Sequence, residues 1–132
     1  MGQERGSENE YRVHIFRDES IRAGIKVPRE TYQGKPHEWI RSWDAGWKIS
    51  YTGVKSKQRE LAKAAIKALG LDFGAVDLGQ RREDNSLLVL EVNRAPGLEG
   101  GTIEAYADAI KAWAEGRPGI FEKEGVNDAN AG

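Results

Sequence analysis

The chain contains no cysteine among its 132 residues. This absence excludes disulfides, thiolate metal ligands and a cysteine nucleophile, and it agrees with the reducing cytoplasm, where we expect the protein to reside. An excess of one charge is also missing, since 20 Lys and Arg residues balance 21 Asp and Glu residues, for a net charge of -1. Without a global field of one sign, neither nucleic acid nor a membrane surface is expected as a partner.

Long apolar runs are lacking as well. No stretch of the chain approaches the roughly 20 apolar residues of a membrane-spanning helix, and the polar segment 1–9 has no apolar core of the signal-peptide kind. The length suits one small domain with a single core. We expect a flexible leader over residues 1–9, one domain over 10–115, and a flexible tail over 116–132.

Alternating apolar and polar residues predict strands in the first half of the domain. Residues 11–16 and 21–27 alternate around the turn-like sequence Asp18-Glu19-Ser20, which predicts a hairpin. The aromatic-rich segment from Trp39 to Tyr51 is interpreted as two short strands joined by a turn. Its tryptophans are interpreted as core anchors, with a platform for stacking bases as the less favoured alternative: Trp39, Trp43 and Trp47.

Two amphipathic helices are predicted. Ser56 is a candidate cap for a helix from Lys57 to Leu69, and Thr102 for a helix ending at about Ala114. The expected buried residues are Ala62, Ala65, Ile66 and Leu69 in the first helix, with Arg59, Lys63 and Lys67 facing solvent, and Ile103, Tyr106, Ala107, Ile110 and Trp113 in the second. The order of elements predicts an α+β fold, with a mostly antiparallel sheet and helices packed on one face.

Three oxygen donors occur on a second predicted hairpin, formed by Phe73 to Leu78 and Leu87 to Val92. Glu91 and Asn93 are two residues apart and share a face, and pairing of the strands brings Asp77 close to Glu91. Hard oxygen ligands of this kind hold Mg²⁺ beside substrate phosphates. The alternative is a set of solvated surface residues, but three polar groups on an otherwise apolar hairpin are costly to bury without partners.

Several motifs in order resemble the C-terminal half of ATP-grasp ligases, over about Glu10 to Ala114. They are Glu10-Tyr11-Arg12-Val13, Lys26, Arg41-Ser42, the strand Gly70-Leu71-Asp72-Phe73-Gly74-Ala75-Val76-Asp77, and Glu91-Val92-Asn93-Arg94-Ala95-Pro96-Gly97-Leu98. Within that family the chain resembles the small enzymes related to the glutamate ligases and the D-alanine-D-alanine ligases, including short forms of phage type. Members of that family join a carboxylate to an amine, using ATP to form an acyl phosphate that the amine attacks.

The resemblance implies a role for each matching residue. It makes Asp77, Glu91 and Asn93 ligands of Mg²⁺, with Mn²⁺ as an alternative ion and Glu91 bridging two ions. It implies that Glu10 lies near the ribose of ATP. Residues near the phosphates would be Arg12, Lys26 and Arg41, of which Arg12 and Arg41 are also the candidate catalytic residues. Gly100 and Gly101, in the loop that starts at Pro96, would approach the acyl phosphate.

Other interpretations of these residues stay open. The polar face of an alternating strand is normally just solvated, which is the alternative for Arg12 and Lys26. The glycines before Thr102 also fit a flexible start of a helix, although such a turn suits an anion. Neither histidine, His14 or His37, is assigned a catalytic role.

Two functions from different classes follow. The glycine-rich lid, the phosphate-binding lysines and the adenine-binding hinge of an ATP-grasp ligase are not found before Glu10. We therefore expect the Mg²⁺-ATP-binding half of a carboxylate-amine ligase, which needs a complementary N-terminal half or self-association and takes a carboxylate and an amine as substrates. The alternative is a non-catalytic module of the same fold that binds Mg²⁺, a nucleotide or another protein.

Overall fold

The computed structural model describes residues 9–98 and 100–116, which form a five-stranded antiparallel sheet and two helices. In chain order the elements are β1 (Asn9–Phe16), β2 (Glu19–Pro28), β3 (Trp47–Ser50), α1 (Ser56–Ala68), β4 (Phe73–Gln80), β5 (Leu87–Asn93) and α2 (Gly101–Ala114). Across the sheet the strand order is β3-β2-β1-β4-β5. The predicted α+β class, the antiparallel sheet and both hairpins are confirmed.

The ends of the chain lie largely outside the described residues. Of the predicted leader and tail, the structure describes only Asn9, with which β1 begins, and Gly116, which follows α2. Neither helix in the described ranges has the length and apolar character needed to cross a membrane.

The hairpin of β1 and β2 turns at Arg17 and Asp18. Both residues have positive φ, 46° and 71°, which is the requirement of a two-residue type I′ turn. The predicted turn at Asp18-Glu19-Ser20 is therefore displaced, because Glu19 and Ser20 already belong to β2. Together with an irregularity between His14 and Ile15, this turn sets the register that aligns Arg12 with Gly24 and His14 with Arg22.

One face of the sheet forms the main core beneath α1. Ala62 and Ile66 of this helix pack in one cluster with completely buried side chains of the sheet, which are Val13, Ile15, Val76 and Leu78. Leu69, predicted to be buried, is 59% exposed. Arg59, predicted to face solvent, is buried because its guanidinium donates to the carbonyl of Val54 at 2.7 Å.

The start of α1 also differs from the prediction. Ser56 is the first helical residue, and Lys55 occupies the cap position with an extended backbone. The backbone N–H of Lys55 donates to the side chain of Gln58 at 2.9 Å, which satisfies one polar group at the helix start.

The second helix lies on the opposite face of the sheet, whereas both helices were expected on one face. Tyr106 and Ala109 of α2 pack against Phe16 and Ile21. Phe16 alternates along β1 with Ile15, which belongs to the α1 core. The alternation of residues 11–16 did not reveal the second apolar contact, because β1 is buried on both faces over its last four residues.

The buried stripe of α2 is rotated relative to the predicted one. Tyr106 is buried as expected, but Thr102, Ala109 and Ala112 accompany it. Small side chains let the helix approach the sheet closely. The larger apolar residues therefore remain about half exposed, at 50% for Ile103, 48% for Ile110 and 55% for Trp113, and Ala107 is exposed as well. Gly100, with φ of 54°, takes the cap position that was predicted for Thr102.

The aromatic segment forms one strand rather than two. Only residues 47–50 pair with β2, as β3, because turn hydrogen bonds from Ala45 to Ser42 and from Gly46 to Trp43 occupy the backbone before them. Trp39 and Trp43 are 54% and 62% exposed, so their interpretation as core anchors is wrong.

Candidate functional site

The register of the sheet aligns the polar side chains across three strands. Arg12 of β1 lies opposite Asp77 of β4, and Asp77 lies opposite Glu91 of β5. Opposite residues of antiparallel strands project to the same face. This face is the one that α2 covers in part, and the apolar residues between these positions project into the α1 core.

Asp77 is held by two cations. Its carboxylate accepts hydrogen bonds from Arg12 Nε at 2.8 Å, Arg12 Nη2 at 3.1 Å and Lys26 Nζ at 3.2 Å. Burial by itself would raise the pKa of Asp77, but the hydrogen bond from Arg12 and the charge of Lys26 outweigh burial, so that the pKa is lowered. The bond to Asp77 in turn raises the pKa of Arg12. Asp77 therefore remains ionised at neutral pH.

Glu10 extends this cluster toward Arg41. Its two carboxylate oxygens lie 3.5 Å from Lys26 Nζ and 3.7 Å from Arg41 Nε. The side chains of Lys26, Arg41 and Glu10 are only 9%, 7% and 11% exposed. The guanidinium of Arg41 also stacks 4.5 Å above the ring of Trp47. Alternating charges thus satisfy one another in a largely buried row that runs from Arg41 to Arg12.

A cavity of about 640 Å³ opens over this row. Its charged wall has four cations and two carboxylates, which are Arg12, Lys26, Arg41, Lys48, Asp77 and Glu91. The remaining wall is formed by His14, Ser42, Trp43, Trp47, Ile49, Tyr51, Gly97 and Thr102. Arg12, Lys26 and Arg41 present donors with positive charge, which suit an anionic ligand such as a phosphate chain.

The predicted site residues are therefore brought together only in part. Arg12, Lys26, Arg41, Asp77 and Glu91 line one cavity, and Glu10 contacts two of them. Three others do not line it. Asn93 follows Glu91 on the same face, but its side-chain oxygen accepts from the backbone N–H of Ala95 at 2.9 Å. Gly100 and Gly101 form the start of α2, where the guanidinium of Arg22 lies against Gly101.

The donors present fit a hard cation whose remaining ligands come from a phosphate. Asp77 and Glu91 offer carboxylate oxygens on paired strands, and Asn93 offers an amide oxygen two residues along. Within residues 9–98 and 100–116, no three carboxylate, histidine or cysteine side chains cluster as a metal site. A Mg²⁺ ion that keeps several waters and bridges to phosphate needs only one or two protein carboxylates.

Sequence reasoning missed the second wall of the cavity. Ile49 and Tyr51 reach it because β3 pairs with β2, with Ile49 opposite Lys26 on this face. Thr102 reaches it because α2 lies on this face. The alternation along residues 47–50 was a signal for a strand, but only the strand register shows that Ile49, and not Lys48 or Ser50, shares the face of Lys26.

Comparisons with known proteins agree with this architecture. The chain is 35% identical over 98 residues to a probable alpha-L-glutamate ligase of Serratia proteamaculans, and these residues are 70% of this chain and 32% of that protein. It is 35% identical over 86 residues to probable alpha-L-glutamate ligase 2 of Shewanella frigidimarina, with shares of 63% and 28%. The chain thus spans about a third of the length of these relatives. No family model matches it.

Solved structures show the same fold. The ATP-grasp ligase PsnB in complex with a minimal precursor superposes with a TM-score of 0.61 at 21% identity, over 83% of this chain and 36% of that one. The D-alanine-D-alanine ligase of Bacillus anthracis in complex with ATP gives a TM-score of 0.54 at 19% identity, over 83% and 36%. PsnB has also been solved with Mg and ADP. The predicted resemblance to part of an ATP-grasp ligase is therefore confirmed.

Proposed function

We propose that this chain is the Mg²⁺-ATP-binding part of a carboxylate-amine ligase that forms an amide through an acyl phosphate. The observation that carries the proposal is the pairing of Asp77 with Glu91 in a cavity that also contains Arg12, Lys26 and Arg41. Carboxylates for a cation and cations for phosphates lie in one wall, which is the arrangement that phosphoryl transfer requires.

Each side chain then has a role in the reaction. Asp77 and Glu91, together with Asn93, would hold Mg²⁺, which neutralises charge on the transferring phosphoryl group. Arg12, Lys26 and Arg41 donate to phosphate oxygens. The roles of Glu10 near the ribose and of Gly100 and Gly101 near the acyl phosphate remain part of the proposal. Besides any such contact, Glu10 fixes the positions of Lys26 and Arg41 through its two ion pairs.

The reaction proposed has two steps. The bond between the β- and γ-phosphates of ATP breaks as a carboxylate oxygen of the substrate takes the phosphoryl group, and ADP leaves. The amine nitrogen of the second substrate then attacks the acyl carbon, phosphate leaves with the bonding electrons, and the nitrogen loses a proton as the amide forms. Arg12 and Arg41 act as catalytic residues by stabilising the negative charge that develops in both steps.

The proposed partner is a complementary N-terminal part of an ATP-grasp ligase or a second copy of this chain. The chain spans about a third of its relatives, and an apolar surface is available for such a contact. This surface is defined by Phe73, Leu98, Ile103, Ile110 and Trp113, each 43% to 55% exposed. Clusters of exposed large apolar side chains mark sites of association. We place the protein in the cytoplasm, where ATP is supplied.

A second candidate function is a non-catalytic module that binds a nucleotide, a metal ion or another protein. One observation favours it: the carboxylate of Asp77 is already engaged by both Arg12 and Lys26. A cation must compete with these two internal partners, which lowers its affinity. The two functions differ in whether the chain supports amide formation once a complementary half is present.

Isothermal titration calorimetry of the full chain with a non-hydrolysable ATP analogue and Mg²⁺ tests the proposal. Wild-type protein should bind the analogue only with the metal present. Asp77→Asn and Glu91→Gln should each lose this metal-dependent binding. Asp108→Asn, an exposed carboxylate of α2 outside the cavity, is the matched control and should bind as wild type does. Equal binding by the Asp77→Asn, Glu91→Gln double variant and wild type would refute the proposed metal site.

A further inference from the structure

His14 lies at the end of the cavity nearest α2 and has no role in the function proposed above. It projects from β1 on the same face as Arg12, opposite Arg22 of β2 and Ala75 of β4. The residue is 3% exposed, and it forms part of the cavity wall together with Gly97 and Thr102. It is therefore a buried titratable group in direct reach of a ligand in the cavity.

Tyr106 fixes the state of this imidazole. The Tyr106 hydroxyl lies 2.9 Å from His14 Nδ1, and the two rings are perpendicular, with centroids 5.4 Å apart. Burial raises the pKa of Tyr106, so the phenol keeps its proton. If Nδ1 donated to Tyr106, the phenolic proton would have no acceptor among the described residues. The hydroxyl therefore donates to Nδ1, and the ring proton resides on Nε2.

Burial and the neighbouring arginines keep His14 neutral. Burial lowers the pKa of His14 to about 4, and the nearby charges of Arg12 and Arg22 act in the same direction, against a smaller opposing effect of Asp77. At neutral pH the ring is therefore a neutral hydrogen-bond donor at Nε2. No described residue accepts a hydrogen bond from this atom.

Arg22 makes this end of the cavity strongly cationic. Its guanidinium stacks 3.5 Å above the ring of Tyr51 and lies against Gly101 at the start of α2. Its Nε is buried without a hydrogen-bond partner in the described part of the chain. The positive end of the α2 dipole adds to this potential. Donors and positive charge thus converge here, whereas the carboxylates Asp77 and Glu91 lie on the adjacent strands.

We propose that His14 binds an oxyanion, a phosphoryl or carboxylate group, through Nε2–H, and that Tyr106 is the positioning residue that holds the required tautomer. The inference rests on the proposed function only for the identity of the anion, which would be the transferring phosphoryl group or the carboxylate of the substrate. The local chemistry requires no metal ion and no nucleotide, so it can be tested separately.

Nitrogen NMR of the full chain labelled with ¹⁵N in its histidine rings provides that test. The chain has two histidines, and His37 is an internal control because its Nδ1 accepts the backbone N–H groups of Trp39 and Ile40 outside the charged row. Metal-free protein is titrated with inorganic phosphate and, in a second series, with acetate. At least one of the two anions should raise the pKa of His14 by about one unit or more. The ring proton should lie on Nε2 at neutral pH, and the His37 resonances should not respond.

The two anions distinguish the source of the ligand. A response to phosphate and not to acetate identifies a phosphoryl site, and the reverse identifies a carboxylate site. If neither anion affects the His14 resonances, or if the neutral ring carries its proton on Nδ1, the proposal is overturned. These outcomes need no variant, so they stand even where a substitution at position 14 prevents folding.

Variants separate a binding role from a structural one. His14→Phe keeps the ring volume and should weaken the binding of the effective anion about tenfold, while His14→Gln, which retains a side-chain N–H donor, should restore part of it. Tyr106→Phe should weaken anion binding about fivefold, because the hydroxyl that keeps the His14 ring proton on Nε2 is lost. Equal anion affinity of wild type and folded His14→Phe would contradict the role of Nε2. Glu91→Gln should keep the His14 response even if it loses Mg²⁺-dependent nucleotide binding, so the two proposals fail independently.

Discussion

The two faces of the sheet differ in the polarity of the side chains that they carry. The face beneath α1 is a dry cluster in which Val13, Ile15, Val76 and Leu78 are completely buried. The other face alternates with these positions along the same strands, yet it carries Glu10, Arg12, Lys26 and Asp77 in a row of ion pairs. Hydrophobic burial therefore stabilises the fold from one side and leaves the other side available for ligands.

This difference explains how a small chain tolerates several buried charges. Ion pairs inside a protein contribute little net stability, because desolvation offsets their attraction. The α1 face must then supply the main free energy of folding. The α2 face contributes a smaller apolar cluster around Phe16 and Tyr106, and much of the outer surface of α2 remains apolar and exposed.

The largest effect should follow from damage to the α1 face. Ile15→Ala removes a completely buried side chain from the centre of the core and should lower the free energy of unfolding by about 2 to 5 kcal/mol. Urea denaturation followed by circular dichroism measures this loss. Leu90→Ala, at a 44% exposed position of β5, is the control, and a comparable loss there would remove the distinction between core and edge.

Acidification should destabilise the protein through the site face. Because the pKa of His14 is about 4 in the folded chain and about 6.5 when unfolded, the unfolded state binds more protons between these values. Stability is therefore lost as the pH falls from 6.5 toward 4, by about 3 kcal/mol. Asp77, whose pKa is lowered, adds a further loss below about pH 4. Denaturation curves across this range should show the first loss in wild type and not in His14→Phe.

Variants of the two site carboxylates should have similar effects on nucleotide binding and different effects on stability. Asp77→Asn removes the negative charge that Arg12 and Lys26 both contact, leaving Lys26 with Glu10 alone, and should cost about 1 to 3 kcal/mol of stability. Glu91 is exposed, so Glu91→Gln should stay within about 0.5 kcal/mol of wild type, although both variants should lose metal-dependent nucleotide binding. Parallel thermal denaturation and calorimetry resolve the pattern. An equal loss of stability in both variants would show that Glu91 is also part of the buried row.

The smallest effect on stability should come from the apolar surface of α2. Ile110 is 48% exposed, so Ile110→Glu should change the free energy of unfolding by less than about 0.5 kcal/mol. It should nevertheless abolish self-association or binding of a complementary half. Light scattering after size-exclusion chromatography detects the change in mass, and Ala64→Glu, exposed on α1, should leave the mass unchanged. Identical behaviour of the two variants would exclude this surface as the contact.

Local sequence patterns were sufficient for the elements and for part of the site. The alternation in β1 and β2 and the two apolar runs of β4 and β5 predicted both hairpins, and the loop between β4 and β5 aligned Asp77 with Glu91. Asn93 shares their face as predicted. The sequence did not reveal that its oxygen accepts from Ala95, since a local Asx turn competes with any ligand role.

The local sequence patterns did not show which strands are neighbours in the sheet or which face of the sheet α2 covers. The ion pairs of Asp77 with Arg12 and Lys26 span three strands and depend on how β1 inserts between β2 and β4. The face chosen by α2 depends on Tyr106 and Ala109 meeting Phe16 and Ile21. The large residues Ile110 and Trp113 suggested a different buried face, because burial was assigned by side-chain size rather than by close approach of small residues.

Paramagnetic relaxation by Mn²⁺ tests the division between the two faces most directly. Backbone amide signals of the full chain are recorded with a non-hydrolysable ATP analogue, first with Mg²⁺ and then with Mn²⁺. Broadening should be strongest around Asp77 and Glu91 and should fall with distance from them, so that Arg12 is broadened more than the residues of α1 on the other face of the sheet. Broadening centred on α1, or spread evenly over the exposed carboxylates, would contradict a metal and nucleotide site on the charged face of the sheet.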